Sequence, residues 1–173
     1  MEKRILFDTS VYGKLVLDVP FSSLLVQKKK NVEFVFYGNS IIRNELRATP
    51  KHITLINKSL RSYLLQTYDS LITKENHNLV VNIFVEQLSE LYYKEYRNRD
   101  GNSGEASIKN DFIIVACASI YQMDIVVSDD KRTLLNDAAL KAYEHVNKAQ
   151  GFQNPKYFEY TKFREKVLTR CDI

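Results

Sequence analysis

The residues best placed to do chemistry are acidic. Asp8 closes the short apolar run Arg4–Phe7 in FDTSVYG, and Asp129 and Asp130 close Ile125-Val126-Val127 in VVSDDKRT. In open parallel sheets ligands bind just beyond the carboxyl ends of the strands, so two strands bring acids to one edge. Glu45 falls in a helical stretch, IIRNELRA, soon after a second strand-like run. Asp111 opens the apolar stretch FIIVACAS, which reads as a buried helix feeding the third run. A carboxylate at the mouth of a buried helix either accepts the helix's free N–H groups or binds a metal. Asp8 taken alone reads equally well as the start of an Asx-turn. Taken together, four acids at one sheet edge raise one another's pKa values unless a counter-charge arrives. Oxygen-only ligands suit Mg²⁺ or Mn²⁺ rather than Zn²⁺, and His52, His77 and His145 lie in polar surroundings, read as surface positions. A hard cation held by few carboxylates keeps water, and such a water can attack a phosphodiester.

Arg43, Arg47, Lys109, Lys131 and Arg132 each neighbour one of these acids. They either grip phosphates on both sides of a scissile bond or simply balance the carboxylates. Lys28-Lys29-Lys30 reads as a solvated charge run at a helix carboxyl end, where cations complement the dipole. Tyr92, Tyr93 and Tyr96 are candidates to stack bases, although a stripe at that spacing more often packs in a core.

The elements that must carry these residues alternate. Strands are expected at 4–7, 32–37 and 125–127, short and rich in β-branched or aromatic residues. Pro20 opens a helix PFSSLLVQKKK, and Ser40 is the expected N-cap of IIRNELRA, which Thr49-Pro50 stops. Leu60, Tyr63, Leu64, Thr67, Tyr68 and Leu71 recur at helical spacing, as do Val80, Ile83, Phe84, Leu88, Leu91 and Tyr92. Further helices are expected over 108–121 and from just after Asp130 through LLNDAALKAYEHV, with a loop at 97–107. The pattern predicts an α/β fold: a short, mainly parallel sheet with helices on both faces, and a helical insertion or clip over about 51–100.

Length and composition bound the answer. The 173 residues fit one domain, and 45% hydrophobic residues exclude disordered and collagen-like chains. Five Gly and three Pro argue for long helices. The net charge of +4 permits a polyanionic partner without demanding one. Cys117 and Cys171 cannot build a disulfide framework, and Cys117, inside FIIVACASI, reads as a buried free thiol. No signal-peptide core and no apolar run long enough to span a membrane is visible, so a cytoplasmic location is expected. The phosphate-loop, dinucleotide and serine-hydrolase motifs are all absent.

In combination, the D-T-S after the first strand, the Glu in IIRNELRATP, N-D-F-I-I-V-A-C-A-S and V-V-S-D-D resemble the PIN-domain nucleases. The VapC-type endoribonuclease toxins are the nearest subgroup. The likeness covers residues 4–50 and 107–135, and the tail NPKYFEYTKFREKVL is also similar; the stretch between Glu45 and Asp111 is longer than in compact members. The resemblance implies a three-layer α/β/α fold and a Mg²⁺ or Mn²⁺ site made by Asp8, Glu45, Asp111 and one acid of the Ser128-Asp129-Asp130 turn. The family pattern puts that acid at Asp130, with Thr9, Ser10, Ser128 and Asp129 in support. In some branches a G-E-A motif carries the third acid, which makes Glu105 a rival to Asp111. The implied activity is metal-dependent hydrolysis of RNA, either as a toxin held by an antitoxin or as a processing enzyme. The alternative is a PIN-like binding module without catalysis. Homodimerisation through helix faces of the 60–96 block is a further expectation. A haloacid-dehalogenase-type phosphatase needs a second acid two residues after Asp8, where Ser10 stands.

Overall fold

Strand β1 (Lys3–Phe7) is the middle strand of a five-stranded, all-parallel sheet. The computed structural model describes residues 2–169, so Cys171 lies outside the described residues. From β1 the chain runs through α1 (Thr9–Leu17) and α2 (Val19–Lys30) to β2 (Phe34–Asn39), then through α3 (Ser40–Ala48), a hairpin of β3 (Thr54–Leu55) and β4 (Lys58–Ser59), and α4 (Leu60–Leu71). A 3₁₀ turn (Glu75–His77) leads into β5 (Asn78–Leu79). Two long helices follow, α5 (Ile83–Asn98) and α6 (Glu105–Ile120), then β6 (Ile125–Val127), α7 (Asp137–Gln150), β7 (Lys156–Phe158) and α8 (Tyr160–Thr169).

The strand order is β5-β2-β1-β6-β7. The chain therefore steps outward from β1 to β2 and β5, then crosses back to β6 and steps outward again to β7. Right-handed crossovers put the helices of the first excursion on one face and those of the second on the other. The packing agrees: α1–α4 pack among themselves, α5 packs on α6 and α7, and α3 meets α6 across the sheet's end. Helix α8 returns to the first face, where Tyr160 and Phe163 meet Phe21 of α2. The architecture is a three-layer α/β/α sandwich.

Both faces of the central strands are covered. Ile5, Leu6, Phe7, Ile125, Val126 and Val127 are buried, as their unbroken apolar runs require. On one face Phe7, Phe36 and Phe163 pack edge-on or tilted. On the other, Phe112 of α6 is ringed by Tyr92, Tyr96 and Tyr143. Tyr92 and Tyr96 are thus core residues and not base platforms, while Tyr93 is half-buried against Phe112.

The structure corrects several expectations. Two edge strands, β5 and β7, join the three expected ones; two or three residues are too few to show a period. Residues 51–100 are not an appendage, since β5 extends the sheet and α4 and α5 belong to opposite helical layers. Tyr68 of α4 passes over Gly38, where any Cβ would collide with its ring, and its hydroxyl donates to Asn78 Oδ1 (3.0 Å) at β5. The buried stripe of α5 is Val85, Leu88, Tyr92 and Tyr96, with Ile83, Phe84 and Leu91 exposed. Asn39, not Ser40, caps α3, its Oδ1 accepting from Ile42 N (3.0 Å). The expected loop at 97–107 shrinks to 99–104, because both flanking helices continue into it. Lys28 and Lys29 are tied down, to Glu33 and to the Ser70 carbonyl. His77 is half-buried against the Tyr37 ring, whereas His52 and His145 are exposed. Cys117 is buried and free, and burial pushes its thiol up to about 12.

Candidate active site

The reversal in strand order falls at β1 and β6, and a crevice at the carboxyl ends of such strands is where open α/β sheets bind ligands. Register brings the relevant residues there side by side. Phe7 pairs with Val127, so Asp8 and Ser128 are the next residues along, and Asp8 N donates to the Val127 carbonyl (2.9 Å). Asp8 Oδ2 accepts from Ser10 Oγ (2.7 Å) and from Ser128 Oγ (2.8 Å). Ser10 Oγ in turn accepts from Asp129 N (3.0 Å), and Ser128 Oγ from Asp130 N (3.0 Å). Two serines thus lock one oxygen of a buried carboxylate to the turn after β6. Burial raises the Asp8 pKa, and the serine hydrogen bonds oppose that rise without cancelling it.

Consecutive acids in this turn do different work. Asp129 Oδ1 accepts from the N–H of Tyr160, the first residue of α8 (2.9 Å), and its Oδ2 lies 3.7 Å from Lys14 Nζ. Asp130 Oδ1 accepts from Arg132 N and Thr133 N (both 2.9 Å), an Asx-turn that fixes the carboxylate at the mouth. Burial works to raise Asp130, but the Thr133 hydroxyl, those two N–H groups and the Arg132 charge outweigh it and hold the group below its ordinary range.

Asp111 lies more than one turn inside α6, so it does not cap that helix; the helix begins at Glu105. It faces the other acids. Burial is the main cause that pushes its pKa up to about 7; the Thr133 hydroxyl opposes it, and the charges of Asp8, Asp130 and Glu45 add to the rise. Glu45 reaches in from α3. Its Oε2 accepts from Thr9 Oγ1 and its Oε1 from Asn110 Nδ2, each at 2.5 Å. The Thr133 hydroxyl is near enough to Asp111 and Asp130 to favour their charged forms, yet it is 4% exposed and makes no hydrogen bond of ordinary geometry. The buried Tyr143 hydroxyl, also without a partner, lies within electrostatic reach of Asp111 and Asp8.

Ion pairing divides the acidic residues without singling these four out, since Glu75, Glu86, Glu90, Glu105, Asp124 and Glu144 also sit in no ion pair among the described residues. Among the described residues Asp18, Asp69, Asp129, Glu95, Asp137 and Glu159 all sit in ion pairs with lysine or arginine. Asp8, Glu45, Asp111 and Asp130 sit in none; neutral hydroxyl, amide and backbone donors hold them, and the Arg132 charge acts on Asp130 from a distance. As they stand, no three His, Cys, Asp or Glu side chains among the described residues are close enough together to hold a metal ion. The donor set nonetheless fits a hard divalent cation: it is all oxygen, none of its members is ion-paired with lysine or arginine among the described residues, and the buried Thr133 hydroxyl lies beside two of them.

The basic residues divide. Arg43 is paired with Asp69 and lies over the Tyr68 ring, and Lys131 is paired with Glu159 (2.8 Å), so both are already engaged. Arg47, Lys109 and Arg132 are exposed and in no ion pair among the described residues. Glu105 does not join the cluster; it lines a groove between α5 and α6 with Glu86, Glu90 and Tyr93. Asn110 and Thr133 were not anticipated. Their signals were faint: Asn110 directly precedes Asp111, and Thr133 follows Asp130 at the three-residue spacing of a capping turn.

Comparison of the chain with protein-family models, with curated proteins and with solved structures finds no match.

Proposed function

We propose that this protein is a divalent-metal-dependent endoribonuclease. The observation that carries the reading is the set of four carboxylates at the topological switch point, none of them ion-paired with lysine or arginine among the described residues, with Asp111 pushed up to about 7. Asp8, Glu45, Asp111 and Asp130 would hold Mg²⁺ or Mn²⁺. What the cation supplies when bound is an acidified water and a positive charge opposite the leaving oxygen. The chain's own residues do the rest. Ser10 and Ser128 keep Asp8 Oδ2 in place. The turn after β6 fixes Asp130. Arg47 and Arg132, exposed and in no ion pair among the described residues, would meet phosphates and set the strand's register, whereas Lys109 lines the α5–α6 groove with Glu105. The resemblance of the acidic motifs to PIN-domain nucleases supports RNA as the polyanion, and the net charge of +4 is compatible with it. That resemblance also suggests a cytoplasmic role, as an antitoxin-controlled toxin or as a processing enzyme. No helix among the described residues is long and apolar enough to cross a membrane.

The test is cleavage of a mixed single-stranded and hairpin RNA with Mn²⁺. Cutting should require the cation, stop on chelation and be lost in Asp8→Asn. Undiminished cutting by Asp8→Asn, or none by the wild-type chain with Mn²⁺, overturns the proposal.

A further inference from the structure

We infer that Asn110 is a positioning residue that, with Thr9, clamps Glu45 into the acidic site, an inference that rests on the cation-dependent reading above. The clamp joins three elements on one side chain: Thr9 opens α1, Glu45 belongs to α3 and Asn110 to α6. Each carboxylate oxygen takes one donor, Thr9 Oγ1 on Oε2 and Asn110 Nδ2 on Oε1, both at 2.5 Å. Successive residues on a helix point about 100° apart, so α6 can aim Asp111 at the cluster and Asn110 at α3.

The need for a clamp follows from charge. A glutamate side chain has three rotatable bonds, and Glu45 is only half-buried. Beside Asp8, Asp111 and Asp130, a free Glu45 lowers its energy by swinging out to water, where like-charge repulsion fades. The Thr9 and Asn110 hydrogen bonds oppose that swing.

The choice of clamp is equally informative. A lysine or arginine at position 110 would grip the carboxylate as firmly but would cancel the charge a cation needs. The molecule does hold other carboxylates that way, as Arg164 holds Asp18 and Lys131 holds Glu159. At Glu45 it uses an amide and a hydroxyl, which fix direction and leave the negative charge intact. This is how outer-shell partners orient metal-binding carboxylates. Among the described residues the exposed Asn110 side chain makes no other hydrogen bond to explain its placement.

The experiment is a Mn²⁺ titration without RNA, read from the paramagnetic resonance signal of free Mn²⁺. It compares the wild-type chain, Asn110→Ala, Glu45→Gln and the double variant, each with a melting curve to confirm folding. Asn110→Ala should weaken Mn²⁺ binding about tenfold to a hundredfold with the melting temperature unchanged. In the Glu45→Gln background it should add nothing, because its effect runs through Glu45; a purely structural residue would not show that dependence. Should Asn110→Ala fail to fold, the Thr9 arm of the clamp gives the same reading: Thr9→Val should weaken Mn²⁺ binding and Thr9→Ser should restore it. Wild-type affinity in Asn110→Ala, equal loss in both backgrounds, or no difference between Thr9→Val and Thr9→Ser overturns the clamp alone. A wild-type chain that shows no saturable Mn²⁺ uptake overturns the cation reading as well.

Discussion

Asp111 is the residue at which folding and the proposed chemistry pull in opposite directions. In the unfolded chain its carboxyl ionises near its ordinary 3.8, whereas in the folded metal-free protein burial and three neighbouring acids push it up to about 7. Between those values the folded state holds a proton that the unfolded state has released, so stability falls as pH rises from about 4 to about 7. Asp111→Asn removes that dependence. Denaturant unfolding at a series of pH values should show the metal-free wild type losing stability across the window relative to Asp111→Asn, with the variant the more stable at pH 8. Parallel pH profiles for the two proteins would show that Asp111 does not sit among uncompensated charges. The two acids of the next turn separate in the same residue-by-residue way. Asp130→Asn should abolish Mn²⁺-dependent cleavage. Asp129→Asn should spare most of it, because Asp129 spends its carboxylate on α8 and Lys14.

At the scale of elements, Asp129 caps a helix and its loss should register as stability. Replacing a side chain that caps a first-turn N–H costs about 1 kcal/mol, so Asp129→Ala should lower the unfolding free energy by roughly that amount in a urea titration. Phe112 is a larger support. It stands directly after Asp111, 1% exposed, ringed by Tyr92, Tyr96 and Tyr143, and it fixes the rotation of α6 about its own axis. Phe112→Ala should cost about 3–5 kcal/mol in the same titration. Unfolding free energies unchanged from wild type would contradict these two assignments. The sequence makes the three core strands and the apolar helix around Phe112 legible, because each is a dense run of apolar residues. It conceals β5 and β7, where two or three residues carry no period and pairing comes only from the sheet they edge. It also misleads about the start of α6: Glu105-Ala-Ser-Ile-Lys-Asn is polar and follows two glycines, yet it forms one and a half turns of helix ahead of Asp111.

Across the whole molecule, the site arises from topology. The chain winds outward from β1 on one side, returns across the sheet and winds outward on the other, leaving an open crevice where β1 and β6 end. Three of the four acids sit on or just after elements that border that crevice, and α6 delivers the fourth from the opposite layer. That much was legible from strand-end acids alone. The tethers were not. Thr9, Asn110 and Thr133 act through contacts between residues far apart in the chain, and spacing along a sequence does not encode how a helix is rotated against its neighbour. That none of the four acids is ion-paired with a lysine or arginine among the described residues is equally invisible in the sequence, since Arg43 and Lys131 stand beside them in sequence but turn to Asp69 and Glu159. A nuclease of this kind requires that this negative crevice take up a cation. A crystal of the wild-type protein soaked in MnCl₂ and measured at the manganese absorption edge should give an anomalous peak among Asp8, Glu45, Asp111 and Asp130. No peak there, or manganese bound only elsewhere on the surface, would contradict the central claim.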